Sequence, residues 1–345
     1  MRELPLPDHF RRERASEIYR VPYEERAMEA ARFRERHGIP PASADAISIG
    51  LLLVDLQNTF AMPGFELFVS GRSGRGASED AARLSEFLYR NLASITRIHA
   101  TLDTHRAFQI FHPAFLLDEE GNHPRPMTAI SLEDVEEGRF RVNPEVAGAL
   151  SGVELEYLER HLLHYCRMLS REGKYRLMVW PYHAMLGGIG HAMVPVVEEA
   201  VFFHGIARHS QASFELKGAN PLTENYSVLS PEVLEDHEGK PIASRNSALL
   251  DRLLSYDALL VAGEAKSHCV SWTLSDLLEE IRRRDLGLAN KIYLLEDCTS
   301  AVCAPGVVDF TDDAERAFDE FAASGMHRVR STDPMSEWPG FPEGV

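Results

Sequence analysis

The residue of this 345-residue chain best placed for chemistry is Cys269, in the turn Gly263-Glu264-Ala265-Lys266-Ser267-His268-Cys269-Val270. An apolar run of strand length, Ala258 to Gly263, leads into the turn, and a helix-patterned segment leads out from about Cys269 to Arg284. A cysteine at a helix N-terminus meets the positive end of the helix dipole, which favours the thiolate. The N–H groups of such a turn can also hold an oxyanion. A buried, unreactive thiol is the common alternative for this residue type. Asp55 directly follows the apolar run Leu51 to Val54. A carboxylate there is costly unless it is paired or opens on a cleft, so it suits a general base, a partner for a cation, or a cap. Asp103 and His105 stand two residues apart, just past a predicted strand, and in extended backbone such positions face one side. Both can reach one metal ion, with His183 as a third ligand and His112 as a further ligand or supporting group. Three protein ligands with open positions suit a catalytic divalent metal. The chain has 15 histidines, so spacing alone does not separate a ligand set from a chance cluster. Taken alone, Lys217 reads as a solvated surface charge. Gly187, Gly188 and Gly190 follow no long strand and read as a loop rather than a dinucleotide turn.

These residues need elements to hold them, and the hydrophobic pattern supplies candidates. Ile47 to Leu56 and Ala258 to Gly263 are apolar on both faces, as in buried parallel strands. Residues 97–103, 176–179, 211–217, 291–296 and 327–330 are shorter strand candidates. Helical patterning falls on Tyr23 to His37, 79–96, 153–170, from Pro195 onward, and 312–324. Strands alternating with helices predict an α/β fold with a doubly wound, Rossmann-like parallel sheet flanked by helices. Ligands of such sheets bind beyond the carboxyl ends of the strands, where Asp55, Asp103 and the Gly263–Cys269 turn fall. Residues 1–46 are polar, rich in Arg and Glu, and read as a helical extension that packs on the core or makes oligomer contacts; a homo-oligomer is expected. The core domain is expected over 47–345, with an insertion at about 116–175.

A hydrophobic content of 44% with 26% charged residues is ordinary for a soluble globular protein. The net charge of -17 argues against nucleic acid and against an anionic membrane surface as partners. No apolar run reaches the length of a membrane span, and the charged N-terminus is no secretory signal. The four cysteines, Cys166, Cys269, Cys298 and Cys303, have neither CxxC spacing nor the density of a disulfide framework. A reducing cytoplasm is the simplest setting.

Taken in order, five segments resemble the nicotinamidases of the isochorismatase-like cysteine hydrolase superfamily. They are Val54-Asp55-Leu56-Gln57-Asn58 with Phe60, Asp103-Thr104-His105, Trp180-Pro181-Tyr182-His183, Lys217-Gly218 with Tyr226-Ser227, and Gly263 to Val270. The resemblance covers roughly residues 47–330 with interruptions. It implies the superfamily's fold and a catalytic triad of Cys269 as nucleophile, Asp55 as proton acceptor and donor, and Lys217 as counter-cation. It further implies an oxyanion hole at the Ala265 and Cys269 N–H groups and a cis peptide at Glu264–Ala265. Asp103, His105 and His183 would bind a divalent metal (zinc first, with iron or manganese as alternatives), with His112 the displaced counterpart of a further histidine. Phe60 and Trp180 would flank a flat ring, with Tyr226 beside them. The implied reaction is hydrolysis of nicotinamide to nicotinate and ammonia through a Cys thioester. Another small carboxamide, or isochorismatase-type hydrolysis, is the alternative. Lys266 and Ser267 stand where nicotinamidases usually carry Thr-Asp, which suggests a cation beside the nucleophile and an anionic substrate.

Overall fold

The computed structural model describes residues 3–150, 152–171, 175–304 and 306–342. Parts of the expected extension (1–2), insertion (151 and 172–174) and core domain (305 and 343–345) lie outside the described residues. Six parallel strands form the central sheet: β1 (Ile49–Val54), β2 (Arg97–Asp103), β3 (Ser213–Lys217), β4 (Ala258–Gly263), β5 (Ile292–Leu295) and β6 (His327–Val329). Their order across the sheet is β6-β5-β4-β1-β2-β3. The chain winds outward from β1 in one direction and then returns to build outward from β4 in the other, so the topological switch point lies between β1 and β4.

Both faces of the sheet are covered. Alternate residues of β1 point to opposite sides, so Ile49, Leu51 and Leu53 join one core, and Leu52 and Val54 join the other. The first core is closed by α1 (Tyr23–His37), α2 (Gly76–Arg90) and α4 (Pro195–Arg208). The second is closed by α3 (Leu155–Arg171), α5 (Ser247–Leu254), α6 (Ser271–Arg284) and α7 (Thr311–Ala323). Full burial of every residue of β1 and β4 explains why these two strands read as continuous apolar runs.

The structure departs from the pattern-based expectations in particular places. β1 ends at Val54, and Asp55 takes a positive φ of 46° that ends the strand. α2 ends at Arg90 rather than at Thr96, because Leu92 and Ile95 are buried from a turn instead of a helical face. α5, capped by the Asn246 side chain, was not anticipated. The polar stretch after β2 is not structureless: Leu116–Asp118 pairs with Phe140–Val142, and Ala129–Ile130 pairs with Leu177–Met178. α1 packs on α4 through the ion pair Arg26 Nε–Glu199 Oε1 of 2.6 Å, both side chains buried. Among the described residues, no helix is long and apolar enough to cross a membrane.

Candidate active site

The sheet order places four strand ends side by side. Asp103, the last residue of β2, is in register with Lys217, the last of β3, and Val54 of β1 is in register with Gly263 of β4. Asp55 and Glu264 follow immediately. Gly263 makes this junction sterically feasible: its φ is 123°, and a Cβ there would stand 2.0 Å from the Val54 carbonyl oxygen. The chain then passes through the cis Glu264–Ala265 peptide into a single π-helical turn, Lys266–Val270, that carries Cys269 into α6.

Lys217 joins the chemistry. It is not the solvated charge that its local sequence suggests but is buried at 4% exposure. Its Nζ pairs with Asp55 Oδ2 at 2.8 Å and donates to Asp103 Oδ1 at 3.0 Å, the Asn225 carbonyl at 2.9 Å and Cys269 Sγ at 3.5 Å. Burial alone would lower the Lys217 pKa, but the Asp103 and Asp55 carboxylates raise it well above the ordinary lysine value. Burial raises the Asp55 carboxyl, against the pull of Lys217. For Asp103, the Lys217 charge pulls the carboxyl down against burial. Burial pushes the Cys269 thiol well up, against the pull of Lys217. This runs against the expectation of a thiolate favoured by the helix dipole: burial favours the protonated thiol.

Thr101 and Gln57, to which the sequence reading gave no role, hold the two carboxylates. The Thr101 hydroxyl donates to Asp55 Oδ1 at 2.5 Å and accepts the Asp55 N–H at 3.0 Å. The Gln57 amide donates to the Asp103 carbonyl at 2.8 Å, and its Oε1 accepts the Asp103 N–H at 2.7 Å. The N–H groups of Ala265 and Cys269 make no turn or loop backbone hydrogen bond among the described residues.

Three histidines converge beside this centre. The ligating atoms of His105, His112 and His183 lie within 4.8 Å of one another, and all three rings are buried. Each Nδ1 pairs with a backbone carbonyl: His105 with His183 at 3.2 Å, His112 with Ala107 at 3.2 Å and His183 with Pro181 at 2.7 Å. A carbonyl only accepts, so each Nδ1 carries the hydrogen and each Nε2 presents a lone pair. The Nε2 atoms of His105 and His112 are buried without a hydrogen-bond partner. His105 Nε2 stands 3.1 Å from Asp103 Oδ1, and His183 Nε2 stands 3.5 Å from Asp103 Oδ2. Lone pairs facing lone pairs in a dry pocket call for a cation, and a divalent metal fits this donor set. The convergence includes His112, which the sequence left at the margin, while Asp103 touches two of the rings and is shared with Lys217. Burial, with His183 and His105 nearby, lowers the His112 pKa to about 3, so the ring is neutral and able to ligate at neutral pH. Gly218 has φ 81°, and a Cβ there would lie 2.7 Å from Asp103 Oδ1 and 2.8 Å from His105 Nε2, so the cluster requires glycine.

Cys269 and Ala265 line a narrow pocket. Phe60, Trp180 and Tyr226 form aromatic walls, and Asp103 and His183 open onto it. Trp180 Nε1 donates to the Tyr226 hydroxyl at 2.6 Å, fixing both rings. Glu224 and His268 also line the cavity, and sequence reasoning assigned neither a role. Burial raises the Glu224 carboxyl well above its ordinary value, and it lowers His268 to about 4, which leaves that ring neutral at neutral pH. Lys266 does not face the cavity. Its ammonium pairs with Glu315 of α7 and sits 4.4 Å over the Phe318 ring, so the expected cation beside the nucleophile is absent from this pocket.

No family model matches the chain, and no curated protein matches it in sequence. Several solved structures share its overall course. A nicotinamidase/pyrazinamidase of Acinetobacter baumanii is 20% identical at a TM-score of 0.48, over 83% of this chain and 97% of its own. The yeast nicotinamidase is 18% identical at 0.48, over 81% and 99%. A Pyrococcus horikoshii pyrazinamidase, solved in complex with zinc, is 18% identical at 0.44, over 82% and 99%.

Proposed function

We propose that the protein is a cysteine amidohydrolase of the nicotinamidase type, hydrolysing a small ring carboxamide, with nicotinamide as the leading candidate. The observation that carries this reading is the buried set of Asp55, Lys217 and Cys269, with Lys217 Nζ 2.8 Å from Asp55 Oδ2 and 3.5 Å from Cys269 Sγ. A thiol, a base beside it and a fixed positive charge are what nucleophilic acyl transfer needs.

In the first half-reaction, the Cys269 proton passes to Asp55 as Sγ attacks the amide carbon. The raised Asp55 pKa suits a group that takes up a proton and later returns it. Negative charge moves to the carbonyl oxygen, where the Ala265 and Cys269 N–H groups would receive it. Collapse breaks the C–N bond, the Asp55 proton goes to the leaving nitrogen, and ammonia departs from a thioester. Water then attacks the thioester, Asp55 accepts its proton, and the proton returns to Sγ as the carboxylic acid leaves. Lys217 keeps its charge throughout and balances whichever of Asp55 and Cys269 is anionic. His105, His112 and His183, with Asp103 beside them, would hold a divalent metal, zinc first. When bound, the metal would supply a Lewis-acid anchor for a ring donor atom such as a pyridine nitrogen. Phe60, Trp180 and Tyr226 would hold the ring edge-on to Cys269.

The test is ammonia release from nicotinamide and related ring carboxamides by purified protein supplied with zinc, iron or manganese. Activity with nicotinamide is expected. No release from nicotinamide under all three metals removes that substrate. Cys269→Ala is expected to lower kcat at least about a thousandfold while leaving the unfolding temperature within a few degrees. Retained turnover in that variant would refute the nucleophile assignment.

A further inference from the structure

Glu264, the first residue after β4, buries its side chain completely, and so does Asp80 of α2, at 0% and 1% exposure. The two carboxyls converge on Ser300, whose hydroxyl donates to Asp80 Oδ2 and whose N–H donates to Glu264 Oε2. Two ionised carboxylates buried this close repel each other, which favours one proton on the pair. Asp80 has a cation: Arg83 Nη2 lies 2.5 Å from its Oδ1. Glu264 Oε1 is buried with no hydrogen-bond partner. Asp80 is therefore the carboxylate, and Glu264 carries the proton.

Ser300 completes the cluster. Its hydroxyl donates to Asp80 Oδ2 at 2.5 Å, its N–H donates to Glu264 Oε2 at 3.2 Å, and its carbonyl accepts the Lys266 N–H at 2.7 Å. The Cys298 carbonyl accepts the Gly263 N–H at 3.0 Å. Ala265 is thus bracketed: its predecessor is tied through a side chain to α2 and the Ser300 loop, and its successor is tied by its backbone to the same loop. The remaining polar groups around the pair are Glu79, 3.9 Å from Arg83 Nη1, Asp297, whose carbonyl accepts from Arg83 Nε at 2.5 Å, and the Cys298 thiol.

We propose that Glu264 and Asp80 form a proton-sharing pair that fixes the backbone of the nucleophile turn, which makes Glu264 a positioning residue for the Ala265 and Cys269 N–H groups. This rests on the amidase reading for its catalytic consequence but not for its existence. Burial raises both carboxyls, and the neighbouring Asp80 charge raises Glu264 further. A carboxyl whose folded pKa lies above its unfolded value stabilises the fold at low pH, and that stability is lost as pH rises through the folded pKa. Deprotonation would set two buried negative charges against each other directly beneath the turn.

The experiment compares the full-length protein with Glu264→Gln and Glu264→Met. Glutamine keeps an acceptor for the Ser300 N–H but has no proton to lose to base; methionine keeps the volume and loses the hydrogen bond. Thermal unfolding is followed from about pH 6 to 9. The unfolding temperature of the unmodified protein is expected to fall over that range by a few degrees more than that of Glu264→Gln. At neutral pH, Glu264→Gln is expected to keep kcat within about twofold. Glu264→Met is expected to lose about tenfold in kcat with little change in KM, as for a slightly misplaced oxyanion site. Parallel unfolding curves for the unmodified protein and Glu264→Gln would overturn the shared proton. Unchanged kcat in Glu264→Met would overturn the positioning role. The unfolding arm needs no substrate, so a protein that releases no ammonia from any carboxamide refutes the amidase reading while the pair is still judged on its own.

Discussion

Asp55 sits in a position where a carboxylate has to be held by more than its cation. Its φ of 46° is a left-handed conformation that aspartate tolerates better than most residues. With Lys217 on Oδ2, the Thr101 hydroxyl is the donor to Oδ1. Replacing Thr101 by Val keeps the shape and removes both hydrogen bonds. The Asp55 N–H is then left buried without its acceptor, at a cost of about 1–3 kcal/mol. The carboxylate also loses a donor, which raises the Asp55 pKa further and leaves less of it ionised to take the thiol proton. The expected outcome for Thr101→Val is a kcat lower by about tenfold with KM little changed. A variant with unaltered kcat would show that Lys217 alone holds Asp55. Lys217 shows why residue-level reading runs out: a lysine followed by glycine is ordinarily a surface charge, and only the neighbouring strand ends make it a buried counter-ion. Lys266 fails in the opposite sense, since adjacency to Cys269 in sequence sends its ammonium to Glu315 on α7.

At the scale of elements, the site is a property of strand order. Asp55, Asp103, Lys217 and the Cys269 turn come from four strands that are neighbours only because the sheet reverses its winding between β1 and β4. The apolar runs of β1 and β4 were legible because both strands are buried on both faces, and the polar residue ending each run marked the carboxyl edge. Less was legible where local pattern does not set the structure. α5 is short, and the pairings of Leu116–Asp118 and Ala129–Ile130 depend on partners far along the chain. The convergence of Glu264 and Asp80 on Ser300 joins a strand end to a helix, and neither residue type nor spacing announces it. Gly263 gives this scale its sharpest test. A Cβ at φ 123°, 2.0 Å from the Val54 carbonyl, forces β1 and β4 apart at the catalytic edge. Gly263→Ala is expected to cost on the order of 3 kcal/mol or more in chemical denaturation and to abolish turnover. A stable, active variant would mean that the two strand ends are not held in this register.

At the scale of the whole molecule, the N-terminal segment is part of the folded body. Leu4, Ala15, Ala30 and Phe33 enter the same core as Leu51 and Leu53 of β1. The segment is locked to α4 by charge: Arg26 bonds Glu199, Glu29 and Glu25, and Glu199 also accepts from the Tyr19 hydroxyl at 2.8 Å. Arg26 and Glu199 are both buried, so removing one partner strands the other. Arg26→Ala therefore leaves an uncompensated carboxylate under α1 and is expected to destabilise the protein by about 3–5 kcal/mol, read as a lower unfolding midpoint in denaturant. Replacing both partners by apolar residues of similar size, Arg26→Met with Glu199→Leu, is expected to recover most of that loss, because the cost lies in the unpaired charge rather than in the missing attraction. The site lies at the carboxyl ends of the strands and shares no hydrogen bond or ion pair with Arg26 or Glu199, so kcat per folded molecule should be unchanged in both variants. A loss of less than about 1 kcal/mol in Arg26→Ala would mean that the segment is held by its apolar contacts alone, and a fall in kcat at unchanged stability would tie the segment to the site.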